Sequence, residues 1–229
     1  MRISLDLLQH TIDVRAGGVA SLVVENARLF RDICQAFFSS CEEGGEAVLF
    51  SENGDRIPPE KAAEVIQTFV PFSLNTKTLL ASLVKRVEKL AVSPEHYLAT
   101  MNAVGVMTQY VRQLTLDLPH DIECDGLSVG GVLKACGLRF SEEDLPLTDA
   151  LLGYMRLVRE FVGERLYVLI NSRVYFSDEE MQKLLSVCQL EQMKVLLIDG
   201  VEKSLLPEED RLLVDKDLCE LTKQDDIML

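Results

Sequence analysis

The chain has 229 residues, of which 48% are hydrophobic, and its formal net charge is −14. This composition supports a folded core of one large domain or two modest ones and excludes wholesale disorder, and no apolar run reaches the roughly 18 residues that a membrane span needs. Because Lys and Arg drive binding to duplexes, the acidic balance argues against a nucleic-acid partner unless the charges are segregated along the chain.

The first 58 residues are predicted to form short strands around one helix. Alternating or continuous apolar residues indicate four strands, at residues 3–7, 12–14, 19–24 and 47–51. Residues 25–38 carry apolar side chains on one face at helical spacing, which predicts a helix. Asn53 and Gly54 form a pair typical of a two-residue β-hairpin turn.

The middle of the chain is predicted to be helical. Pro58 and Pro59 provide a helix start, and residues 60–137 show helical periodicity with almost no strand signal. The apolar residues of this region form three stripes at helical spacing, within residues 79–90, 97–111 and 129–136. We expect the region to fold mostly as antiparallel helices.

After residue 144, residues 147–162 predict one more helix, and strand signals return beyond it. Two continuous apolar runs, at residues 165–171 and 194–199, are typical of buried strands in a parallel sheet. Between them, Ser177 is a good N-cap for a helix with acids in its first turn. Strand, helix and strand in this order predict a βαβ unit, and residues 212–215 predict a last strand.

The strand signals therefore lie at both ends of the sequence and the helices between them. The sequence predicts an α/β head domain built from residues 1–58 and 146–229. A helical domain, residues 59–145, is predicted to be inserted in it, with hinges near Pro58 and Pro146.

An acidic run in the helical region resembles half of a calcium-binding loop. Asp121, Glu123 and Asp125 alternate along the chain, and Gly126 closes the turn. The bidentate Glu expected at the twelfth position is replaced by Val132, so other carboxylates would have to complete the shell. The nearby candidates are Asp117, Glu142 and Glu143. A solvated acidic turn without a metal is the alternative interpretation.

Basic residues concentrate in the same helical region. Lys77, Lys85 and Lys89 lie within a broad arc of one helical face, with Arg86 in the same stretch. Further basic positions of the region are Arg112, Lys134 and Arg139. Such a stripe could follow the phosphates of a duplex, whereas the alternative is an ordinary solvated helix face.

Catalysis is the less favoured hypothesis. Asp199 ends an apolar strand, as a magnesium-binding Asp does in nucleotide-hydrolysing folds, but the sequence has no GxxxxGK[ST] loop to hold phosphates. The six cysteines form no CxxC pair, which favours free thiols in a reducing cytoplasm over a zinc site. Two alternatives stay open: a divergent metal-dependent nucleotidase or nuclease, and an acidic protein-interaction scaffold.

Five segments stand in the order seen in a known family. They are residues 23–26 (VVEN), 71–77 (PFSLNTK), 121–125 (DIECD), 167–175 (YVLINSRVY) and 215–220 (DKDLCE). Over nearly its whole length the chain resembles the short form of the Csn2 family, the spacer-acquisition proteins of type II-A CRISPR systems.

The resemblance implies a P-loop-NTPase-like α/β head with a degenerate nucleotide site and an extended helical leg. It implies a homotetrameric ring that threads linear double-stranded DNA from its ends, without sequence preference and without catalysis. It also implies Ca²⁺ in the leg region, and the integration proteins and the effector nuclease of the same CRISPR system as partners.

Residue by residue, Asp121, Glu123 and Asp125 match the family's calcium-binding stretch. Gly126, Gly130 and Gly131 depart from the bulkier or acidic residues expected after it. The resemblance also accounts for the net charge, since an acidic exterior can coexist with a basic lumen and with bound calcium.

Overall fold

The computed structural model describes residues 1–116, 118–120, 122–123, 125–142, 145–207 and 209–222. They form two compact units. The first, called the α/β unit, comprises Met1–Phe72, Leu145–Arg159 and Gly163–Leu229. The second, called the helical unit, comprises Ser73–Asp144 and Glu160–Val162.

The strands are β1 Arg2–Leu5, β2 Ile12–Asp13, β3 Val19–Val24, β4 Val48–Glu52, β5 Asp55–Ile57, β6 Ala63–Ile66, β7 Leu166–Ile170, β8 Lys194–Asp199, β9 Glu209–Val214 and β10 Glu220–Thr222. The helices are α1 Ala27–Glu42, α2 Pro59–Ala62, α3 Lys77–Ala91, α4 Tyr97–Thr115, α5 Val129–Ala135, α6 Leu147–Phe161 and α7 Asp178–Leu190. Among these helices, none combines the length and the apolar character that crossing a membrane requires.

The main sheet of the α/β unit has six strands in the order β10-β9-β3-β8-β7-β6. All pairings are parallel except that of β10 with β9. Every residue of β3 and β7 is buried, which explains why these strands are apolar in the sequence except at Ser21. The predicted βαβ unit is confirmed as β7-α7-β8. Its helix starts with a capping box in which Ser177 and Glu180 each bond the other's backbone amide.

A second sheet is antiparallel, with the order β2-β1-β4-β5. The predicted hairpin is confirmed, because Asn53 and Gly54 both have positive φ, 55° and 94°, between β4 and β5. Apolar side chains of this sheet join the core of the main sheet, where the rings of Phe37 and Phe50 meet edge to face with centroids 6.2 Å apart.

The prediction that residues 60–137 hold almost no strand is wrong at its start. The helix that begins at Pro59 ends at Ala62, and β6 follows at once as the edge strand beside β7. The α/β unit consequently continues to Phe72, and not to residue 58. The sequence also missed β10, which has only three residues.

The helical unit is built on α3, α4 and α5. In α3 the hydroxyl of Thr76 caps the helix by accepting from Leu79 N–H, and Leu79 itself is fully buried. The first residues of this unit are tied to its last loop, since Ser73 Oγ and Leu74 N both donate to Glu142 Oε1, at 2.7 and 2.8 Å. Helix α4 has no buried residue, although most of its side chains are apolar.

Candidate nucleic-acid interface and metal-binding loop

Three lysines form one exposed face of α3, called the lysine face: Lys77, Lys85 and Lys89. At 100° per residue these positions span about 120° of the helix circumference, and Leu79 lies on the opposite side. None of the three forms an ion pair with a residue that the structure describes. Their charges are therefore available to an anionic partner.

Charge is segregated along the chain as a nucleic-acid partner would require. Residues 77–116 contain five basic and two acidic residues, a net charge of +3 in a chain whose total is −14. The net charge of the whole chain therefore does not argue against a nucleic-acid partner, because a local excess of Lys and Arg can bind phosphates in an acidic protein.

Arg86 is separated from the lysine face. Its Nη1 donates to Glu160 Oε1 at 2.9 Å, and its guanidinium carbon lies 4.8 Å from the centre of the Phe161 ring. Both partners belong to the helical unit. Among the residues that the structure describes, Arg86 is therefore the one of the seven basic residues predicted to bind DNA whose charge is already matched.

The other predicted DNA-binding residues are exposed but lie on different elements. Arg112 is in the last turn of α4, Lys134 is in the last turn of α5, and Arg139 follows α5. Cations in the last turn of a helix also interact favourably with the helix dipole, which gives Arg112 and Lys134 a local role of their own.

The predicted calcium loop lies between α4 and α5. Glu123 and Asp125 are exposed on irregular backbone, and Gly126 has a φ of 86°, as a tight turn requires. Asp117, Asp121 and Glu143 lie outside the described residues. Exposed carboxylates on a bent, glycine-closed loop fit a hard cation in their chemistry. Within the described part of the chain, no three acids, histidines or cysteines come together as a metal-binding group.

Glu142, a further calcium candidate, is engaged elsewhere. Hydrogen bonds from the Ser73 hydroxyl and then from the Leu74 amide hold the pKa of this carboxyl below its ordinary value.

Gly130, one of the glycines that depart from the family pattern, has a local structural reason. A Cβ at this position would lie 2.9 Å from the carboxylate of Glu88 on α3, so glycine lets α5 pack close to α3.

The carboxyl edge of the main sheet is where nucleotides bind in sheets of this class. Only Glu25 and Asn26 connect β3 to α1, and the Asn26 side chain already accepts from the first free amides of the helix, those of Arg28 and Leu29. A phosphate loop needs several residues of open backbone amides at this position. The connection therefore has neither the length nor the free donors to hold a triphosphate.

Asp199 lies at the same edge, at the end of β8, and is buried. Burial raises its pKa to about 6, against the opposing effect of Arg173, which lowers it. Arg173 and Ser172 are also buried, and Arg173 Nε and Ser172 Oγ have no hydrogen-bond partner within the described structure. Asp199 is thus buried near Arg173 and is not presented to solvent as a metal ligand.

Several interactions could not be anticipated from local sequence. Glu160 and Phe161, the partners of Arg86, end a helix that the sequence assigned to the α/β domain. Glu220 on β10 accepts from the backbone amides of Gln9 and His10 and from the His10 ring, which fixes the first loop of the chain to the sheet edge. The periodicity of one segment carries no signal for partners so far away.

Comparisons with known proteins agree with this fold. The chain is 20% identical, over 200 residues, to the CRISPR-associated protein Csn2 of Enterococcus faecalis, covering 87% of this chain and 90% of that protein. Its structure is similar to the crystal structure of Stu0660 of Streptococcus thermophilus, with a TM-score of 0.56, 13% identity, and coverage of 94% of this chain and 75% of that one. The family model of the CRISPR-associated protein Cas_Csn2 matches residues 41–218. Because this match covers most of the sequence, the chain belongs to the Csn2 family of CRISPR-associated proteins.

Proposed function

We propose that this chain is a non-catalytic protein that binds linear double-stranded DNA through its ends, without sequence preference, during acquisition of new CRISPR spacers. In this proposal it acts in the cytoplasm as a calcium-stabilised homotetrameric ring, together with the integration proteins and the effector nuclease of its system. Its α/β unit corresponds to a P-loop-NTPase-like head whose nucleotide site is degenerate.

The observation that carries the proposal is the lysine face. Lys77, Lys85 and Lys89 are exposed on one side of α3, form no ion pair with described residues, and lie in a stretch with a net charge of +3. Aromatic side chains do not interleave with these lysines in the sequence, so stacking on single-stranded bases is not favoured. Contact with the phosphates of a duplex is the better match.

Self-association is supported by α4. Val106, Tyr110 and Leu114 recur every four residues on one side of this helix and are 58%, 55% and 57% exposed in the single chain. A continuous apolar stripe of this kind marks an interface in a folded protein. A second copy of the chain is the partner we propose for it.

Calcium is the proposed ligand of the loop that carries Glu123 and Asp125, whose side chains would hold it together with other acids of the run. When bound, the ion would supply positive charge that offsets carboxylates brought together in the assembly. The non-catalytic part of the proposal is supported by the short β3–α1 connection and by the burial of Asp199.

Binding to matched linear and covalently closed circular duplexes, each with calcium and with chelator, tests the proposal. We expect binding to linear DNA only, in calcium, together with a tetramer in size exclusion. Equal binding to both forms would contradict threading from ends, and binding to neither would favour the protein-interaction scaffold. Turnover of ATP or cleavage of DNA with magnesium or manganese would contradict the absence of catalysis.

Neutralising the lysine face tests the interface itself. The variant Lys77→Gln, Lys85→Gln, Lys89→Gln should reduce the slope of log affinity against log salt by about 0.9 for each phosphate contact that is lost. Its control is Lys61→Gln, Lys183→Gln, Lys216→Gln, which changes the net charge equally at exposed lysines of the α/β unit. Equal slopes in the two variants would show that the lysine face does not bind the duplex.

A further inference from the structure

Five side chains of the helical unit connect the beginning of α3 to its third turn. We call Asn75, Arg86, Phe140, Glu160 and Phe161 the α3 brace. At one end, Asn75 Nδ2 donates to the carbonyl of Phe140 at 3.1 Å, and Phe140 N donates to Asn75 Oδ1 at 2.8 Å. This reciprocal pair fixes the residue that precedes the N-cap of α3 by one position.

The brace continues through two rings. The rings of Phe140 and Phe161 meet at 81° with centroids 5.2 Å apart, which is a favourable edge-to-face geometry. The guanidinium of Arg86 lies 4.8 Å from the centre of the Phe161 ring and donates to the neighbouring carboxylate of Glu160. The path thus leaves α3 near its start and returns to it at Arg86.

A connection to one helix at two positions fixes the rotation of that helix about its axis. At 100° per residue, Arg86 projects about 180° from Lys77 and about 100° from Lys85. With Arg86 held against Phe161, the lysine face is turned away from the brace. Without the brace, α3 would still pack through residues such as Leu79 and contact α5, but its rotation would no longer be fixed at Arg86.

We propose that Arg86 is a positioning residue for phosphate binding, which holds the lysine face in its orientation and does not itself contact phosphate. This inference rests on the proposed function. The alternative is that Arg86 is a phosphate ligand that Glu160 restrains. The two roles predict opposite effects when Glu160 is removed, because its loss would weaken a brace but would release a ligand.

The decisive variant is Glu160→Ala, compared with Glu164→Ala as a control. Glu164 is a similarly exposed acid four residues further on, and its nearest basic partner, Arg159, is 4.0 Å away. If Arg86 positions α3, Glu160→Ala should bind linear duplex about threefold more weakly than the control. The loss of an exposed cation–π or ion-pair contact changes an equilibrium constant by about this factor. Tighter binding with a steeper salt dependence would overturn the proposal.

A second variant leaves every charge in place. Phe161→Leu removes the ring that carries Arg86 and packs on Phe140, whereas Phe38→Leu makes the same change at a half-exposed ring of α1. We expect weaker duplex binding by Phe161→Leu than by Phe38→Leu, about twofold to fivefold. Equal affinities would overturn the positioning role.

Amide hydrogen exchange separates this inference from the proposed function. The amide of Phe140 donates to Asn75 within the brace, so its exchange should become faster in both Glu160→Ala and Phe161→Leu. If the wild-type chain bound no duplex, the proposed function would fail, yet faster exchange would still support the brace. Unchanged exchange at Phe140 in both variants would overturn the brace, whatever the DNA measurements show.

Discussion

Arg173 and Asp199 are both buried at the carboxyl edge of the main sheet, where Arg173 lowers the pKa of the Asp199 carboxyl group by less than burial raises it. Burial raises the pKa of Asp199 from 3.8 to about 6. The folded protein therefore binds this proton more tightly than the unfolded chain does, and its free energy of unfolding falls as the pH rises from about 4 to about 6.

Replacing Asp199 by Asn should consequently stabilise the protein at neutral pH. The amide keeps the shape of the carboxyl group but cannot ionise, so we expect the free energy of unfolding to rise by about 2–3 kcal/mol at pH 7.5. The gain should disappear near pH 3.5, where both forms are neutral. Urea unfolding across this range measures it, with Asp210→Asn, an exposed site on β9, as the control. Destabilisation at pH 7.5 would contradict the prediction.

Two glycines should respond with opposite signs to replacement by Ala. Gly17 has a φ of 67°, and a Cβ there would lie 2.9 Å from the backbone oxygen of Gln189. The variant Gly17→Ala should therefore lower the free energy of unfolding by about 2 kcal/mol or more. Gly153 lies inside α6 with open space around it, so Gly153→Ala should raise the free energy of unfolding by about 0.5–1 kcal/mol. Thermal unfolding of both variants checks the pair, and shifts of the same sign would refute it.

Glu220 should stabilise the protein in a pH-dependent way. Burial tends to raise its pKa, but the hydrogen bonds from Gln9 and His10 outweigh it and lower the pKa overall. A lowered pKa means that the stabilisation is present above the ordinary pKa of Glu and is lost as the pH falls through the folded value. Glu220→Ala should therefore cost about 1–2 kcal/mol at pH 7 and less in acid. Glu202→Ala, an exposed acid, is the control, and equal costs would argue against a special role for Glu220.

Calcium should raise the melting temperature through the loop between α4 and α5. A ligand that binds only the folded state adds about 2.7 kcal/mol to the free energy of unfolding when its free concentration is a hundred times its Kd. We expect a calcium-dependent rise in Tm that shrinks in Glu123→Gln, Asp125→Asn. Glu42→Gln, Glu43→Gln removes two exposed acids elsewhere and should leave the rise intact. A rise of the same size in both variants would exclude this loop as the calcium site.

The apolar stripe of α4 should govern assembly. Tyr110→Glu places a charge in the middle of the stripe, and burying an unpaired charge at an interface is costly. We expect light scattering to show a smaller species than the wild-type chain, whereas Leu190→Glu, at an 82% exposed position of α7, keeps the wild-type mass. An unchanged mass for Tyr110→Glu would place the subunit interface elsewhere.

The parts of the fold that were predictable have strong local signals. Strands β7 and β8 contain continuous apolar runs, and Ser177 with Glu180 defines the start of α7. Strand β6 was missed because it is short and contains Glu64. That carboxylate is buried only because Tyr154 and Arg165, far along the chain, hydrogen-bond or pair with it. No pattern within residues 60–66 predicts such partners.

The candidate interface shows the same limit. The spacing of Lys77, Lys85 and Lys89 was enough to place them on one face of a helix. Arg86 was predicted to bind DNA because it lies in the same stretch, and the sequence could not indicate that Glu160 would take up its charge. Helical periodicity gives the direction in which a side chain leaves its helix, and tertiary packing decides what it meets there.

The partners of Arg86 have a consequence for how the chain folds during synthesis. Glu160 is separated from Arg86 by 74 positions, so α3 leaves the ribosome long before the residues that hold it. Until then the Phe140 ring has no Phe161 to pack against. Residues 73–144 produced alone would lack Glu160 and Phe161. The smallest fragment expected to keep α3 in its native orientation therefore extends through Val162.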